Sequence, residues 1–340
     1  MRQVWITKSG SPEVLQLRET PTPTPAPGQV RINVGAIGVN FADIMGRLGL
    51  YADAPKPPYV PGYEVAGTVD AVGEGVEETR LGQNVVALVR FGGYSDTICV
   101  PAEQTFPCPA NVPVDQAAGF PVAFLTAYAA LIAMAGIKPG EHVLIHAAAG
   151  GLGLAAVDIC KIFDATIYGT ASPGKHAFLR ERGVHHPIDY RHQDFEQEIK
   201  RLTNGRGVQI VLDSIGGRSW LKSYRSLSTM GRLVISGASA MAPGQRRSVW
   251  AMIKMGLTIP WFKFNPPTLA NDNKGVMGIN LGRLWGDQDR VRQWAEQLLT
   301  WYAAGRLSVH VDRVFRLDEA ADAHRHIQAR RNIGKVILIP

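Results

Sequence analysis

Hydrophobic and polar residues alternate in short runs over the first 122 residues of the chain. The clearest runs are 30–34, 65–69 and 84–89, and glycine or proline turn signals separate them. An alternation with a period of two places one side of a strand in a core and the other side in solvent. Short strands at this spacing predict a small β-rich, barrel-like domain.

The rhythm changes at residue 123, where helical spacing begins to alternate with short, continuous apolar runs. Helices are predicted at 123–135, 151–163, 174–182, 195–203, 220–226 and 288–304. Strands are predicted at 142–146, 165–169, 208–212 and 231–236, with a last strand at 277–281. Strands that alternate with helices indicate a doubly wound parallel sheet covered on both faces.

After this region the chain returns to strand-like runs that end at 335–339. We therefore predict an α/β protein of two domains. A Rossmann domain of residues 123–283 is inserted into a barrel-like catalytic domain of residues 1–122 and 284–340. The active site is expected in the cleft between the two domains.

Composition narrows the class of protein. With 46% hydrophobic and 19% charged residues, the chain is typical of a compact globular protein. It has no apolar run of 18 residues and no apolar signal-peptide core near its start, so a cytoplasmic location is expected. Three well-separated cysteines favour reduced thiols. The net charge of +7 is spread without a dense basic tract, so no nucleic-acid partner is expected.

A glycine-rich loop at residues 146–154 follows a predicted strand and opens a predicted helix. Its fingerprint runs from Ala148 through Gly150 and Gly151 to Leu152 and Gly153. A small first residue permits the tight turn, Gly150 lets the backbone approach a pyrophosphate, and Gly153 lets the helix pack closely on the strand. The helix start offers N–H donors to the phosphates. The loop predicts a dinucleotide site, and a simple packing turn is the alternative.

The choice of cofactor depends on the end of the following strand, about 20 residues further along the chain. Residues 170–175 contain no acidic side chain there, whereas an enzyme that uses NADH places Asp or Glu on the ribose 2′-hydroxyl. Ser172 can donate a hydrogen bond and Lys175 a charge to a 2′-phosphate. We therefore predict NADPH, although Lys175 is also compatible with a solvated residue at a helix start.

Several motifs occur in one order along nearly the whole chain. They include Gly-Val-Asn-Phe-Ala-Asp at 38–43, Pro-Gly-Tyr-Glu-Val-Ala-Gly at 61–67, Asp-Ser-Ile-Gly-Gly at 213–217 and Gly-Lys-Val-Ile-Leu-Ile-Pro at 334–340. Together with the glycine loop they resemble the medium-chain dehydrogenase/reductase superfamily, and within it the quinone oxidoreductases. The C-terminal third is most similar to the synaptic-vesicle amine-transport-protein branch. The resemblance implies a GroES-like catalytic domain, an NADPH-binding Rossmann domain and a homodimer.

The resemblance also bears on zinc. Zinc alcohol dehydrogenases of the superfamily carry a cysteine, a Gly-His-Glu and a third ligand at positions where this chain has Asn40, Tyr63 and neither Cys nor His around Phe120. Only Cys99 and Cys108 fall where a four-cysteine structural lobe would lie. Tetrahedral zinc needs three or four nitrogen, sulfur or oxygen ligands. No metal is predicted.

The resemblance implies roles for residues of the catalytic domain. Asn40 matches a polar residue near the nicotinamide ribose, and Tyr51 matches a tyrosine at the substrate mouth. Asp43 is a candidate catalytic group that titrates. A strand-to-helix cap, an aromatic wall and a helix-pinning carboxylate are the respective alternatives. Quinone reductases often have a second tyrosine where this chain has Met45, so the proton donor stays open.

Three further residues match cofactor contacts of the family. Thr126 matches the contact to the nicotinamide amide, with a helix-interior threonine as the alternative. Tyr190 and Arg330 match positions that close around the 2′-phosphate, and Arg330 is equally compatible with a plain surface charge.

Without a metal, a simple ketone is a poor substrate because nothing polarises its oxygen strongly. A quinone or an enone spreads the incoming negative charge itself, so hydrogen bonds from the pocket suffice. We therefore predict hydride transfer from NADPH to a quinone or to the β-carbon of an α,β-unsaturated carbonyl. An enoyl-thioester reductase shares this chemistry and is one alternative.

The second alternative is an NADPH-binding protein that docks on membranes and has weak or no reductase activity. It depends on residues 246–264, where basic residues accompany Trp250, Trp261 and Phe262. The segment is too short and too charged to span a bilayer, but exposed it would lie in a membrane interface. Buried, it would be a substrate lid or a dimer surface.

Overall fold

The computed structural model describes residues 1–108, 112–242, 244–245, 249–259 and 264–340, with the backbone alone at 249, 251, 252, 254 and 255. The first part of the chain is mostly strand. In chain order it contains β1 (Arg2–Ile6), β2 (Leu15–Glu19), β3 (Gln29–Val39), α1 (Phe41–Arg47), β4 (Glu64–Val72), β5 (Asn84–Leu88), β6 (Thr97–Pro101), β7 (Thr105–Pro107) and α2 (Val114–Ala118).

The middle of the chain alternates between helix and strand. It contains α3 (Pro121–Tyr128), β8 (His142–Ile145), α4 (Gly151–Ile162), β9 (Thr166–Ala171), α5 (His176–Glu181), β10 (His186–Asp189), α6 (Phe195–Leu202), β11 (Val208–Asp213), α7 (Arg218–Arg225), β12 (Leu227–Ile235), α8 (Val249–Thr258), α9 (Pro266–Asp272) and β13 (Gly275–Gly278). The last part contains α10 (Gln288–Ala303), β14 (Val311–Arg316), α11 (Ala320–Gln328) and β15 (Lys335–Ile339).

The strands of the middle part form one six-stranded parallel sheet. Its order is β10-β9-β8-β11-β12-β13, with every paired neighbour parallel. Numbered from β8, this is the order 3-2-1-4-5-6 of a doubly wound dinucleotide-binding fold. The switch point lies between β8 and β11, and ligands of such sheets bind beyond the carboxyl ends of the strands there.

The second large sheet joins the two ends of the chain. Its order is β14-β15-β3-β4-β5-β7, with β6 also paired to β3. The long strand β3 pairs antiparallel with β15 through Val39 and Val336, so the last strand lies beside the residues that lead into α1. The predicted α/β fold of a Rossmann sheet plus a GroES-like barrel is confirmed, whereas the residue boundaries of the two domains stay a prediction.

Some predicted elements are displaced. The last strand of the parallel sheet is β13 at Gly275–Gly278, so the prediction of 277–281 was wrong by about two residues. The strand ends there because the chain turns at Asn280, whose side chain accepts a hydrogen bond from the backbone N–H of Gly282. Strand β12 begins four residues before the predicted 231, since its first part lies alongside β11. Helix α3 begins at Pro121, a residue suited to the first helical position.

Helix α8 covers part of the predicted basic and aromatic segment. Trp250 is 80% exposed and Leu257 is 82% exposed on this helix. Trp261 and Phe262 lie outside the described residues, as do Arg246 and Arg247. Within the described part of the chain, no helix combines the length and the apolar character that crossing a bilayer requires.

The candidate active-site cleft

A cleft of about 1550 Å³ lies between the parallel sheet and the barrel-like sheet. Pockets for small molecules are usually about 300–1000 Å³. The cleft therefore has room for a dinucleotide and for a second molecule beside it. Of the thirteen residues predicted to act in catalysis or cofactor binding, the cleft is lined by Asn40, Tyr51, Thr126, Gly150, Gly151, Leu152, Gly153, Ser172, Lys175, Tyr190 and Arg330. The other two, Asp43 and Ala148, are buried beneath its wall.

The glycine turn connects β8 to α4 at the switch point of the sheet. The backbone leaves β8 through Ala147, whose φ of 51° is left-handed. At Gly153 a Cβ atom would lie 2.5 Å from the carbonyl oxygen of Ala147, so only glycine lets the helix approach the turn this closely. The turn thus has the geometry of a phosphate cradle, and the start of the twelve-residue helix α4 supplies N–H donors.

Two contacts hold the glycine turn in place. Ala148 is fully buried, and its methyl group lies where a Cβ on Gly169 of β9 would be 2.8 Å away. The Ala148 methyl group therefore packs the turn on the neighbouring strand. On the other side, the backbone N–H of Gly334 donates to the carbonyl of Ala149 at 2.7 Å. The turn is therefore fastened to the start of β15 in the other sheet.

A basic corner lies beyond the end of β9. The Lys175 ammonium donates to the carbonyl oxygens of Arg330 and Asn332, at 2.9 and 2.6 Å. Burial raises the pKa of the Tyr190 hydroxyl, but hydrogen bonds from Arg330 and Arg191 outweigh it and leave the pKa below its usual value. Burial also lowers the pKa of Lys175. The corner gathers cations around hydroxyl donors, which suits a doubly charged phosphate.

The floor of the cleft holds Asn40 in one orientation. Asn40 Nδ2 donates to Glu64 Oε1 at 2.8 Å, and Asn40 Oδ1 accepts a hydrogen bond from the Lys335 ammonium at 2.8 Å. Lys335 and Glu64 form a buried ion pair at 2.7 Å. Asn40 also precedes α1, as a strand-to-helix cap would, so both sequence interpretations of this residue describe its position.

Asp43 lies behind this floor in a buried polar chain. Its carboxylate accepts hydrogen bonds from the backbone N–H groups of Asn40 and Gly62, at 2.8 and 3.0 Å, so it pins α1 to the loop before β4. Tyr94 donates to the same carboxylate at 3.3 Å. Burial raises the pKa of Asp43 to about 7. Asp43 is thus placed as a helix-pinning carboxylate and not as a group that contacts substrate.

The network of buried hydrogen bonds continues from Tyr94 to the interior of the barrel. His324 Nε2 lies 3.0 Å from the Tyr94 hydroxyl, and the Arg47 Nε–H donates to His324 Nδ1 at 3.2 Å. Because Nδ1 accepts, Nε2 carries the proton of a neutral imidazole and donates to Tyr94. Burial holds the pKa of His324 well below its usual value. This network was not predicted, since single residues at 47, 94 and 324 give no pattern along the sequence.

Aromatic residues line the mouth of the cleft. Tyr51 and Tyr63 meet edge to face with ring centroids 6.1 Å apart, and Tyr63 also packs on Phe91. Burial raises the pKa of both Tyr51 and Tyr63. Across the mouth, the Tyr51 hydroxyl donates to Asn280 Oδ1 at 3.1 Å. Tyr51 is therefore both a wall and a hydrogen-bonding group that faces the cleft.

The inner part of the substrate half is apolar. Met45, Phe106 and Trp294 line it. The Trp285 indole nitrogen is buried in this wall and finds no hydrogen-bond acceptor among the described residues. Neither Trp285 nor Asn280 was predicted, because a loop beyond the last strand carries no periodic signal.

The cofactor half contains a second network that was not predicted. His146 hydrogen-bonds to Thr170 at 3.1 Å and to Ser223 at 3.0 Å. Ser223 in turn donates to Asp213, which also accepts the backbone N–H of Ile215. Burial lowers the pKa of His146. The network ties the ends of β8, β9 and β11 together at the switch point.

Glu64 and Lys335 belong to the motifs at 61–67 and 334–340, which predicted no role for either residue. A signal was present for both, because each is a charged residue at the start of an otherwise apolar run, before Val65 and before Val336. Charged residues are seldom fully buried unless they are paired.

The prediction that the chain binds no zinc stays a prediction. In the described ranges, no three or more His, Cys, Asp and Glu side chains lie together in a way that could hold a metal ion. Tyr63 packs among aromatic rings, and Glu64 is engaged by Lys335 and Asn40. The donors at this position therefore do not fit a tetrahedral zinc site.

Two family models match the chain. The model described as zinc-binding dehydrogenase matches residues 182–338, and that described as alcohol dehydrogenase GroES-like domain matches residues 26–110. In sequence, the chain is 40% identical to the synaptic vesicle membrane protein VAT-1 homolog of Rattus norvegicus over 329 residues. These are 96% of this chain and 80% of the rat protein.

Solved structures with the same fold include two reductases. The Escherichia coli quinone oxidoreductase complexed with NADPH has a TM-score of 0.87 and 31% identity, and the match covers 100% of both chains. The CurK enoyl reductase has a TM-score of 0.83 and 31% identity, over 99% of this chain and 98% of that one.

Proposed function

Because this chain belongs to the medium-chain dehydrogenase/reductase superfamily, as its motifs predicted, we propose that it is an NADPH-dependent reductase of quinones or α,β-unsaturated carbonyls. The superfamily is one of oxidoreductases, and both quinone oxidoreductases and enoyl reductases share this fold. The proposal adds the phosphorylated cofactor, the substrate class and the absence of a catalytic metal.

The glycine turn at the switch point, facing the basic corner, carries the proposal. Gly153 lets α4 pack closely on the turn, and α4 directs its first N–H groups at the place where a pyrophosphate would lie. Lys175, Tyr190 and Arg330 lie where the adenosine ribose would end, with no acidic side chain at 170–175. These residues fit NADPH better than NADH.

A bound NADPH supplies a hydride, and the chain supplies orientation. Asn40, held by Glu64 and Lys335, presents a fixed polar edge to the nicotinamide ribose. Thr126 lines the cleft from α3, where it would contact the nicotinamide amide. The apolar wall around Phe106 and Trp294 excludes water and holds a flat, conjugated substrate beside the ring.

The substrate oxygen needs hydrogen-bond donors once it becomes negatively charged. The Tyr51 hydroxyl faces the cleft and can exchange its bond to Asn280 for one to the substrate. A quinone or enone delocalises the charge, so such donors suffice without a Lewis acid. The proton then comes from Tyr51 or from solvent.

A direct test measures NADPH consumption by the purified chain with quinones, enones and enoyl thioesters as separate substrates. We expect turnover with at least one quinone or enone, and a lower KM for NADPH than for NADH. No substrate-dependent oxidation of NADPH with any of the three classes would contradict the proposal.

Enoyl thioesters are the second candidate substrate. The likeness to the CurK enoyl reductase and the size of the cleft favour them, because a thioester carries a long arm. The same substrate screen decides between enoyl thioesters on one side and quinones or enones on the other. A kcat/KM for an enoyl thioester that exceeds every quinone and enone would select this class.

Membrane docking is a separate proposal and is favoured by α8. Trp250 and Leu257 expose about 80% of their surface, and exposed aromatic residues beside an apolar face are typical of interfacial helices. Flotation of the chain with liposomes, compared with a Trp250→Ser/Leu257→Ser variant, tests it. Flotation of the variant equal to that of the wild type would contradict docking through α8.

Whether the chain is a homodimer is answered by its mass in solution.

A further inference from the structure

The Lys335 ammonium is buried in the floor of the cleft with all three of its protons engaged. It donates to Glu64 Oε1 at 2.7 Å, to Asn40 Oδ1 at 2.8 Å and to the carbonyl of Val39 at 3.2 Å. Lys335 is 5% exposed and Glu64 is fully buried. A lysine with three acceptors has no proton left to give to a substrate, so its role is not that of an acid.

Glu64 is equally well satisfied. Its Oε1 accepts from Lys335 and from Asn40 Nδ2, and its Oε2 accepts the backbone N–H of Val122 at 2.7 Å. Val122 lies in the first turn of α3, the helix that carries Thr126. One carboxylate therefore joins Asn40, Lys335 and the start of α3, and the Lys335–Glu64 pair by itself carries no net charge.

The pair also contacts the glycine turn. A Cβ atom on Gly151 would lie 2.6 Å from Cδ of Lys335, so the lysine stem runs directly beneath the start of α4. The residue before it, Gly334, bonds to Ala149 in the same turn. The ion pair thus lies between the phosphate cradle and the amide of Asn40.

We propose that Lys335 and Glu64 are a positioning pair that fixes the Asn40 amide and balances charge beside the nicotinamide, and so sets the ratio between the affinities for NADPH and NADP⁺. The inference rests on the proposed function, which places the nicotinamide at this end of the cleft. Both partners act through Asn40 and through their charge, and neither touches the reacting atoms.

The charge of the nicotinamide ring sets the direction in which each variant shifts the ratio. The oxidised nicotinamide ring carries a positive charge that the reduced ring lacks. Lys335→Met leaves Glu64 without its cation, and the extra negative charge favours NADP⁺. Glu64→Gln leaves the ammonium without its anion, and the extra positive charge favours NADPH. The double variant restores neutrality and returns the ratio toward that of the wild type.

The experiment measures the Kd of NADPH and of NADP⁺ by titration for the wild type, both single variants and the double variant. We expect the ratio of the two Kd values to move about three- to tenfold in opposite directions in the single variants, the scale of one unit charge near a partly buried site. Urea unfolding of each variant without cofactor separates loss of fold from loss of binding.

Ratios that stay constant while both Kd values rise together would show that the pair only supports the structure, and would overturn the inference. If Lys335→Met does not fold, Glu64→Gln and the double variant still give the comparison, because their ratios must differ. A wild-type chain that binds neither nucleotide would instead contradict the proposed function.

Discussion

The hydroxyl of Tyr51 and the side chain of Asn280 meet across the mouth of the cleft, where the tyrosine donates a hydrogen bond at 3.1 Å. The same Asn280 donates to Asp53 at 3.0 Å, and Asp53 forms an ion pair with Arg283. The Arg283 side chain is largely exposed, and an ion pair with a solvent-exposed partner contributes little to stability, about 0–1 kcal/mol. A substrate can therefore displace these contacts at low cost.

Tyr51→Phe tests whether the hydroxyl acts on the substrate. We expect kcat/KM for a quinone or enone to fall about ten- to hundredfold, because a hydrogen bond to the developing negative charge is lost. The Kd of NADPH should change little. Steady-state kinetics together with a nucleotide titration measure both quantities.

Asn280→Ala is the matched control, since it removes the acceptor of the same hydrogen bond and keeps the hydroxyl. It should retain most of the kcat/KM of the wild type. An equal loss in both variants would show that the cross-cleft bond, and not donation to the substrate, is what Tyr51 contributes.

Arg330→Ala tests the basic corner. We expect the Kd of NADPH to rise about tenfold, the scale of one charge-assisted hydrogen bond to phosphate, and the Kd of NADH to stay within about twofold. Arg331→Ala is the control, because Arg331 is exposed and lies outside the cleft lining. Equal effects on both nucleotides would argue against a 2′-phosphate contact.

Gly153→Ala tests the glycine turn. The new methyl group would lie 2.5 Å from the Ala147 carbonyl oxygen, so the helix must move away from the strand. We expect the free energy of unfolding to fall by about 1–3 kcal/mol and nucleotide binding to be lost. Gly286→Ala, where nothing lies within 4 Å of the new methyl group, should leave both unchanged. Chemical denaturation and nucleotide titration decide the outcome.

The pH dependence of stability tests the buried Asp43. Burial raises its pKa in the folded chain to about 7, from an ordinary value of 3.8. The folded state therefore prefers the protonated carboxyl. The stability it contributes is complete below about pH 3.8 and is lost as the pH rises through about 7.

The measurement is the free energy of unfolding of the wild type and of Asp43→Asn at pH 5, 6, 7 and 8. As the pH rises toward 7, the free energy of unfolding of the wild type should fall relative to that of Asp43→Asn by up to about 1.4 kcal/mol per pH unit. A constant difference would show that the N–H donors of Asn40 and Gly62 keep Asp43 ionised throughout.

The elements with a strong period could be predicted from the sequence. The parallel sheet follows from the alternation of strands with helices, and the turn at Gly150 and Gly153 lies where its motif predicts. Strand β13, whose predicted position was wrong, is four residues long and only half-buried, so its hydrophobic signal is weak.

The contacts that complete the candidate site could not be predicted in this way. Asn40, Glu64 and Lys335 meet only because β15 returns beside β3 after almost 300 residues. Tyr51 and Asn280 are likewise separated by most of the chain. Such pairings depend on the tertiary fold, while single polar residues in loops carry no period. Charged residues at the starts of buried strands were the one local sign of them.

The central claim is that the glycine turn and the basic corner bind NADPH for a reduction that needs no metal. The most direct measurement is NADPH oxidation with a quinone or enone by the purified chain, before and after exhaustive chelation, with metal content determined in parallel. We predict tight binding of NADPH, weaker binding of NADH, and turnover that chelation leaves unchanged. Absence of NADPH binding, or turnover that chelation abolishes and zinc restores, would contradict the claim.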